Sequence, residues 1–217
     1  MEDYLKTIFV LGERGASEVT TSLVAERLRV SASSVSGMMG KLRELGLIEQ
    51  ARYGAIHLTE AGRRAALAVV RRHRLIEQLL VTDYGYAWDE VHDEAEVLEH
   101  AVSDRLLERI AEHLGNPGHD PHGDPIPDRD GTLGGHGAQR LSALPPGAEG
   151  SLVRVDDDTA ILRHLTDHQI GLGARIGLVG REPFGGPFVL RVGRPPADRT
   201  VRFGPHLVDA LWLRVDA

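Results

Sequence analysis

Cysteine is absent from the 217 residues. That excludes disulfides and thiolate metal ligands, and it agrees with a cytoplasmic chain. Aromatic residues make up only 5% of the chain, so a core here must be built mainly from Leu, Ile, Val and Ala. No apolar run approaches the roughly 20 residues that cross a bilayer. The acidic start Met1-Glu-Asp-Tyr lacks the basic region and apolar stretch of a secretory signal. No membrane partner is expected. What is present, 41% hydrophobic and 26% charged residues, suits a globular chain of one large domain or two small ones.

The net charge of −7 conceals a segregation. Residues 1–74 carry 12 Lys/Arg against 8 Asp/Glu, residues 75–130 carry 3 against 15, and residues 131–217 carry 10 against 9. A basic N-terminal part can face a polyanion. An acidic middle can hold a cation. Either could equally be a set of solvated helix faces.

Residues 2–13 read as a short helix with apolar Tyr4, Leu5, Ile8, Phe9 and Leu11. Thr20 or Thr21 caps a second helix through Leu28. Ser31 to Ser34 offers the next cap, for a helix over about 33–45 closed by Gly46. Two short helices joined by a tight turn form a helix-turn-helix pattern. The extended runs around Tyr53-Gly54 then predict a hairpin, the wing of a winged helix. Thr59 opens a long helix to about Val81, and one further helix is expected from Glu90 to Leu114. Residues 115–147 are rich in Gly and Pro without apolar period, and read as a connector, with the linker proper at 128–147. Beyond it, Gly150–Val155, Arg175–Val179, Phe188–Val192 and Leu211–Val215 are short apolar or alternating runs. They predict a small β-barrel or sandwich, with a short helix near Thr159–Gly171.

The chemistry concentrates between His73 and His100. His73 and Glu77 lie four residues apart; His92, Glu96, Glu99 and His100 follow at spacings of three and four. On helices, such residues share a face. Imidazole and carboxylate groups converging from two helices satisfy one another only in part, and a divalent cation satisfies them better. The bland alternative is a helix-surface pair and a solvated acidic face. Interleaved Val97, Leu98 and Ala101 argue against leaving that face to water. Oxygen and imidazole donors without sulfur suit Mn²⁺ and Fe²⁺ and also bind Zn²⁺ or Co²⁺. No spare nucleophile or acid/base pair accompanies the cluster, so no small organic substrate and no enzymatic activity are expected. A metal-dependent hydrolase with a winged-helix appendage is the competing class.

These residues, with Met1-Glu-Asp3-Tyr-Leu, Arg71-Arg-His73-Arg-Leu-Ile-Glu77, Val91-His92 through His100 and Pro121-His-Gly-Asp-Pro-Ile-Pro127, resemble the metal-dependent repressors of the diphtheria toxin repressor type. The nearest likeness is to the manganese-responsive branch, the manganese transport regulators. The resemblance covers almost the whole chain. It implies an α+β chain with a winged helix-turn-helix over 1–62, a helical metal-binding and dimerisation domain over 63–127, and an SH3-like (FeoA-like) barrel over 148–217. It implies one site of Asp3, Glu96, Glu99 and His100, and an ancillary site of His73, Glu77 and His92. The family's C-terminal acidic ligand falls near Asp158, while Ile161, three residues on, cannot ligate.

Iron-responsive members carry Met at the position of Asp3 and Cys at that of Glu96. Hard carboxylates at both favour Mn²⁺, about two ions per subunit, with Fe²⁺, Co²⁺ or Zn²⁺ as possible substitutes. Lys6 stands where some two-metal regulators have Glu, which argues for two separated sites. The implied partners are operator DNA, palindromic and bound by a homodimer, and the implied role is control of manganese uptake and homeostasis genes. An iron-dependent regulator of the same family is the alternative. Thr21, Ser31, Ser33, Ser34, Ser36, Gly37, Met38 and Lys41 form the candidate DNA face, with Arg52 and Tyr53 at the wing tip. Hydroxyls and a helix N-terminus suit phosphates, and Met38 suits a thymine methyl. By the resemblance, Gly37 replaces a base-reading Gln.

Overall fold

The computed structural model describes residues 1–51, 54–135 and 137–216. Among these, no helix is long and apolar enough to cross a membrane. The chain divides into two compact units, one of residues 1–73 with 127–133, the other of residues 74–126 with 134–217. The division falls inside a single helix.

The first unit begins with α1 (Glu2–Glu13), α2 (Thr21–Leu28) and α3 (Ala32–Glu44). Caps set their limits. Thr20 accepts a hydrogen bond from the Leu23 amide at 3.3 Å and Ser31 one from the Ser34 amide at 3.1 Å, each satisfying a donor the helix itself leaves open. Arg29 ends α2 in the left-handed region, φ 53°. Leu5, Ile8, Phe9, Val24, Val35, Met39 and Leu42 come from the inner faces of the three helices into one core. Strands β1 (Ile48–Gln50) and β2 (Ile56–Leu58) pair antiparallel, Ile48 opposite Leu58, and add Ile48 and Ile56 to that core. This is a winged helix. The wing tip, Arg52 and Tyr53, lies outside the described residues.

Helix α4 (Glu60–Tyr84) runs 25 residues. Thr59 starts it, accepting from the Gly62 amide at 3.0 Å and donating to the Gly46 carbonyl at 2.7 Å. A Cβ at Gly62 would stand 1.8 Å from the Leu47 carbonyl oxygen. Helix propensity alone predicts that Gly62→Ala stabilises by about 1 kcal/mol. The contact reverses the sign, because overpacking against backbone costs roughly 1–3 kcal/mol or more. We expect Gly62→Ala to lower the melting temperature of the winged unit by several degrees. An unchanged or higher value in a thermal scan would show that the approach relaxes freely.

In the second unit the expected single helix over 90–114 is two, α5 (Val91–Leu98) and α6 (Asp104–His113). The break is chemical: Ser103 caps α6 by accepting from the Leu106 amide at 3.3 Å. Ile76, Leu80, Val91 and Ala95 bury one small core, and Leu75, Leu107, Ile110, Ala111 and Ile126 another. The remainder is a six-stranded antiparallel sheet in the order β3-β8-β4-β5-β6-β7. Its strands are β3 (Gln139–Arg140), β4 (Glu149–Val155), β5 (Arg175–Arg181), β6 (Phe188–Val192), β7 (Arg199–Phe203) and β8 (Leu211–Val215). Helices α7 (Thr159–Asp167) and α8 (Pro205–Asp209) complete it around a core that includes Leu152, Leu162, Leu165, Ile176, Leu190 and Leu211. β3 and β7 were not evident from the sequence. Both are short, polar strands, and β3 lies within the expected linker.

Candidate metal centre

Within the second unit, α4 and α5 present Glu77 and His92 to each other, His92 Nδ1 standing 3.4 Å from Glu77 Oε1. The segment just after β4 adds Asp157, whose Oδ2 is 2.8 Å from the same nitrogen. Glu96, one turn beyond His92, lies 3.6 Å from its Nε2. Burial alone would lower the pKa of His92, but hydrogen bonds and charge from Asp157 and Glu77 outweigh it and raise the group from 6.5 to about 10. Burial alone would raise Asp157, yet His92 and His122 draw it down to about 2. In the metal-free chain this is a cation held between carboxylates.

Glu99, fully buried, ends α5, and His100 Nε2 lies 3.5 Å from its Oε1. A further group forms in the segment expected to be connector: Glu77, Asp120 and His122 each offer a ligand atom, all within 4.8 Å of one another. Burial first, then the charges of Asp124 and Glu77, push Asp120 up to about 7. Burial opposes protonation of His122, but Glu77, Asp120 and Asp157 raise it. This gathering of carboxylates and imidazoles, with Glu77, Glu99, Asp120 and His122 buried, fits a divalent ion of oxygen and nitrogen preference.

Asp158 is not among them. It is exposed and caps α7, accepting from the amides of Ala160 and Ile161 at 2.9 and 3.1 Å. The carboxylate that reaches His92 is its neighbour Asp157. The sequence signal was the run Asp156-Asp157-Asp158, in which only the end of β4 decides which member turns where. Asp120 and His122 lie beside and within the Pro121–Pro127 motif, where the sequence alone carries no signal for a site role.

In the first unit, Asp3 stands half-buried in the first turn of α1. His73 is buried on α4 with Lys6 Nζ 3.5 Å from its Nδ1. On α3, Ser31, Ser33, Ser34, Ser36, Gly37 and Lys41 are exposed. Ser31 Oγ lies 2.8 Å from the hydroxyls of both Ser33 and Ser34, and Ser36 donates to the Ala32 carbonyl. A Cβ at Gly37 would meet nothing within 4 Å. Met38 is half-buried against the core, and Thr21 accepts from Gln50 Nε2 at 3.4 Å.

A winged helix joined to a helical unit dense in carboxylate and imidazole donors defines a metal-responsive DNA-binding protein. Residues 1–56 match the family model described as iron dependent repressor, N-terminal DNA binding domain. Residues 59–128 match iron dependent repressor, metal binding and dimerisation domain, and residues 139–197 match the FeoA domain. The iron-dependent repressor of Mycobacterium leprae is 34% identical over 205 residues, 88% of each chain. A solved manganese-dependent transcriptional repressor in complex with manganese is 46% identical, covers 100% of this chain and 99% of its own, and superposes with a TM-score of 0.94. The structure of ScaR with bound Cd²⁺ is 31% identical, covers 99% of this chain and 98% of its own, with a TM-score of 0.85.

The chain belongs to the iron-dependent repressor family, the diphtheria toxin repressor type. It is a metal-dependent transcriptional repressor with a DNA-binding, a metal-binding and dimerisation, and a FeoA domain; the family is not one of enzymes.

Proposed function

We propose that this repressor responds to Mn²⁺, binds a palindromic operator as a homodimer in the cytoplasm, and controls manganese uptake and homeostasis genes. The observation that carries the metal is the donor at position 96. Glu96 stands beside His92, and the chain offers no cysteine anywhere; a hard oxygen favours Mn²⁺ where a thiolate would favour softer ions. The solved neighbour that holds manganese supports the same reading, while relatives described as iron-dependent make Fe²⁺ the comparison to run.

In this reading Asp3, Glu96, Glu99 and His100 form one site. His73, Glu77 and His92 form the other, joined by Asp157 in place of Asp158, with Asp120 and His122 as alternative donors to Glu77. A bound divalent ion neutralises the carboxylates and fixes their spacing. Asp3 then ties α1 to the helical domain, and α1 orders the helix-turn-helix. Two recognition helices about 34–36 Å apart meet successive major grooves. Ser31, Ser33, Ser34, Ser36 and Lys41 meet phosphates, with Thr21, Gly37 and Met38 beside them and Arg52 and Tyr53 at the wing. Exposed Tyr84, Val97 and Leu106 supply apolar surface for the dimer.

Mobility-shift titration on a palindromic operator with Mn²⁺, Fe²⁺ and Zn²⁺ tests the reading. We expect Mn²⁺ to tighten binding at least tenfold; equal affinity with and without it sinks the proposal. Asp3→Met combined with Glu96→Cys should move the response towards Fe²⁺ by about tenfold. An unmoved preference would remove donor softness as the cause.

A further inference from the structure

The FeoA sheet is held to α4 by a buried chain of charges, of which only Asp120 is also a candidate metal donor. Strand β4 carries an irregularity that makes it possible. Leu152 pairs with Leu213, but Arg154 pairs with Trp212 and Val155 with Leu211, so Val153 is an extra residue. Leu152 and Val155 both reach the barrel core although they are three apart. A regular strand would place Arg154 on the core face with Leu152; the bulge turns it to the opposite face.

There Arg154, 2% exposed, puts Nε 2.5 Å from Asp124 Oδ1. Asp124, also buried, lies 3.7 Å from Nη2 of Arg74, and Arg74 Nε lies 3.6 Å from Asp120. Arg74 Nη1 further donates to the Pro125 carbonyl at 2.6 Å. Arg74 is on α4, one turn before Glu77. On the barrel side Trp212 backs the arginine, its ring 4.8 Å from the Arg154 guanidinium and 4.4 Å from that of Arg140. The backbone agrees: the Val155 amide donates to the His122 carbonyl at 2.9 Å. Gly123, at φ 87°, lets the Val153 carbonyl approach where a Cβ would stand 2.0 Å away. Two residues after Val155 comes Asp157.

We propose that Arg154 and Asp124 are positioning residues of the metal response. Their ion pair, anchored by Arg74, latches β4 onto the 120–125 segment and so delivers Asp157 to His92. The inference rests on the reading that Asp157 and His92 belong to a metal site. Breaking one partner of a buried pair strands the other charge, so Arg154→Met is paired with the double change Arg154→Met, Asp124→Leu, which removes both charges.

Two measurements test the latch on the full chain. Without metal, hydrogen exchange at the Val155 amide should accelerate at least tenfold in both variants, while amides of β5 and β6 stay protected. With Mn²⁺ alone as titrant, calorimetry should show the site containing His92 weakened about 10–100-fold, the range for groups that orient a ligand. Asp157→Asn should weaken it comparably, and adding Arg154→Met to Asp157→Asn should change little more, because both act through one contact. Arg154→Lys should recover part of the loss. Slow Val155 exchange in both latch variants overturns the latch itself. Fast exchange with full Mn²⁺ affinity, where Asp157→Asn does lose affinity, overturns its positioning role. Full affinity in Asp157→Asn overturns the metal-site reading on which the positioning role rests, and leaves the exchange result to decide the latch.

Discussion

Glu99→Gln is expected to reduce Mn²⁺-dependent operator binding to the metal-free level. Glu99 has no exposed surface, and His100 is its neighbour at 3.5 Å. The replacement keeps shape and hydrogen-bonding capacity, so the fold should survive. What it removes is the anionic oxygen that Glu99 would offer the ion in the proposed site. A buried carboxylate is costly unless a cation or donors compensate it, and an ion lost from the site forfeits that compensation. Changes in groups that merely orient a ligand cost 10–100-fold in metal affinity; losing the ligand itself should cost about 100-fold or more. Metal and DNA affinity are reciprocally coupled, so the operator complex should follow. Normal Mn²⁺ activation of Glu99→Gln in a mobility-shift titration would remove Glu99 from the site.

The parts of this molecule that were legible in the sequence are those governed by local rules. Thr20 and Ser31 announce helix starts because a cap hydroxyl acts within three residues. The i, i+4 pairs of imidazole and carboxylate announce a shared face because helical geometry is fixed. Ser103 carried the same kind of signal, and the break between α5 and α6 was available there. The apolar pattern running on through Leu98, Val102 and Leu106 masks that signal. The 118–127 segment was beyond reach for a different reason. It looks like solvent-exposed connector, Gly- and Pro-rich and polar, yet Asp120, His122, Asp124 and Ile126 are buried. Asp120 accepts from the amides of His122 and Asp124 at 2.8 and 2.9 Å, but the distant partners Arg74 on α4 and Arg154 on β4 are what set both aspartates against positive charge. The three consecutive aspartates make the same point within one sequence window. Asp156 accepts from Trp212 Nε1 at 3.0 Å, Asp157 meets His92, and Asp158 caps α7. Composition assigns all three the same role, and the bulge in β4 with the start of α7 assigns three.

The affinity of the His92 site for Mn²⁺ should rise steeply with pH. In the metal-free chain His92 is raised to about 10 and Asp157 lowered to about 2, so between pH 6 and 8 the pair is imidazolium and carboxylate. Only neutral imidazole ligates, so loading releases a proton. One proton corresponds to tenfold in affinity per pH unit, about 100-fold from pH 6 to 8. The same pair stabilises the metal-free fold in the opposite sense. The raised His92 contributes fully below 6.5 and is lost as pH climbs through about 10; the lowered Asp157 contributes above 3.8 and is lost as pH falls through about 2. The proton at His92 therefore binds the carboxylates together and competes with the ion for them. Asp120, held near 7, separates the two donor sets around Glu77. If His92 and Asp157 carry the ion, the release should stay near one proton across the range. If Asp120 and His122 carry it, the release should climb towards two below pH 7. Calorimetry in buffers of different ionisation enthalpy counts these protons. Asp157→Asn should let the His92 pKa fall and flatten the slope, and an affinity independent of pH in the wild type would take His92 out of the metal site.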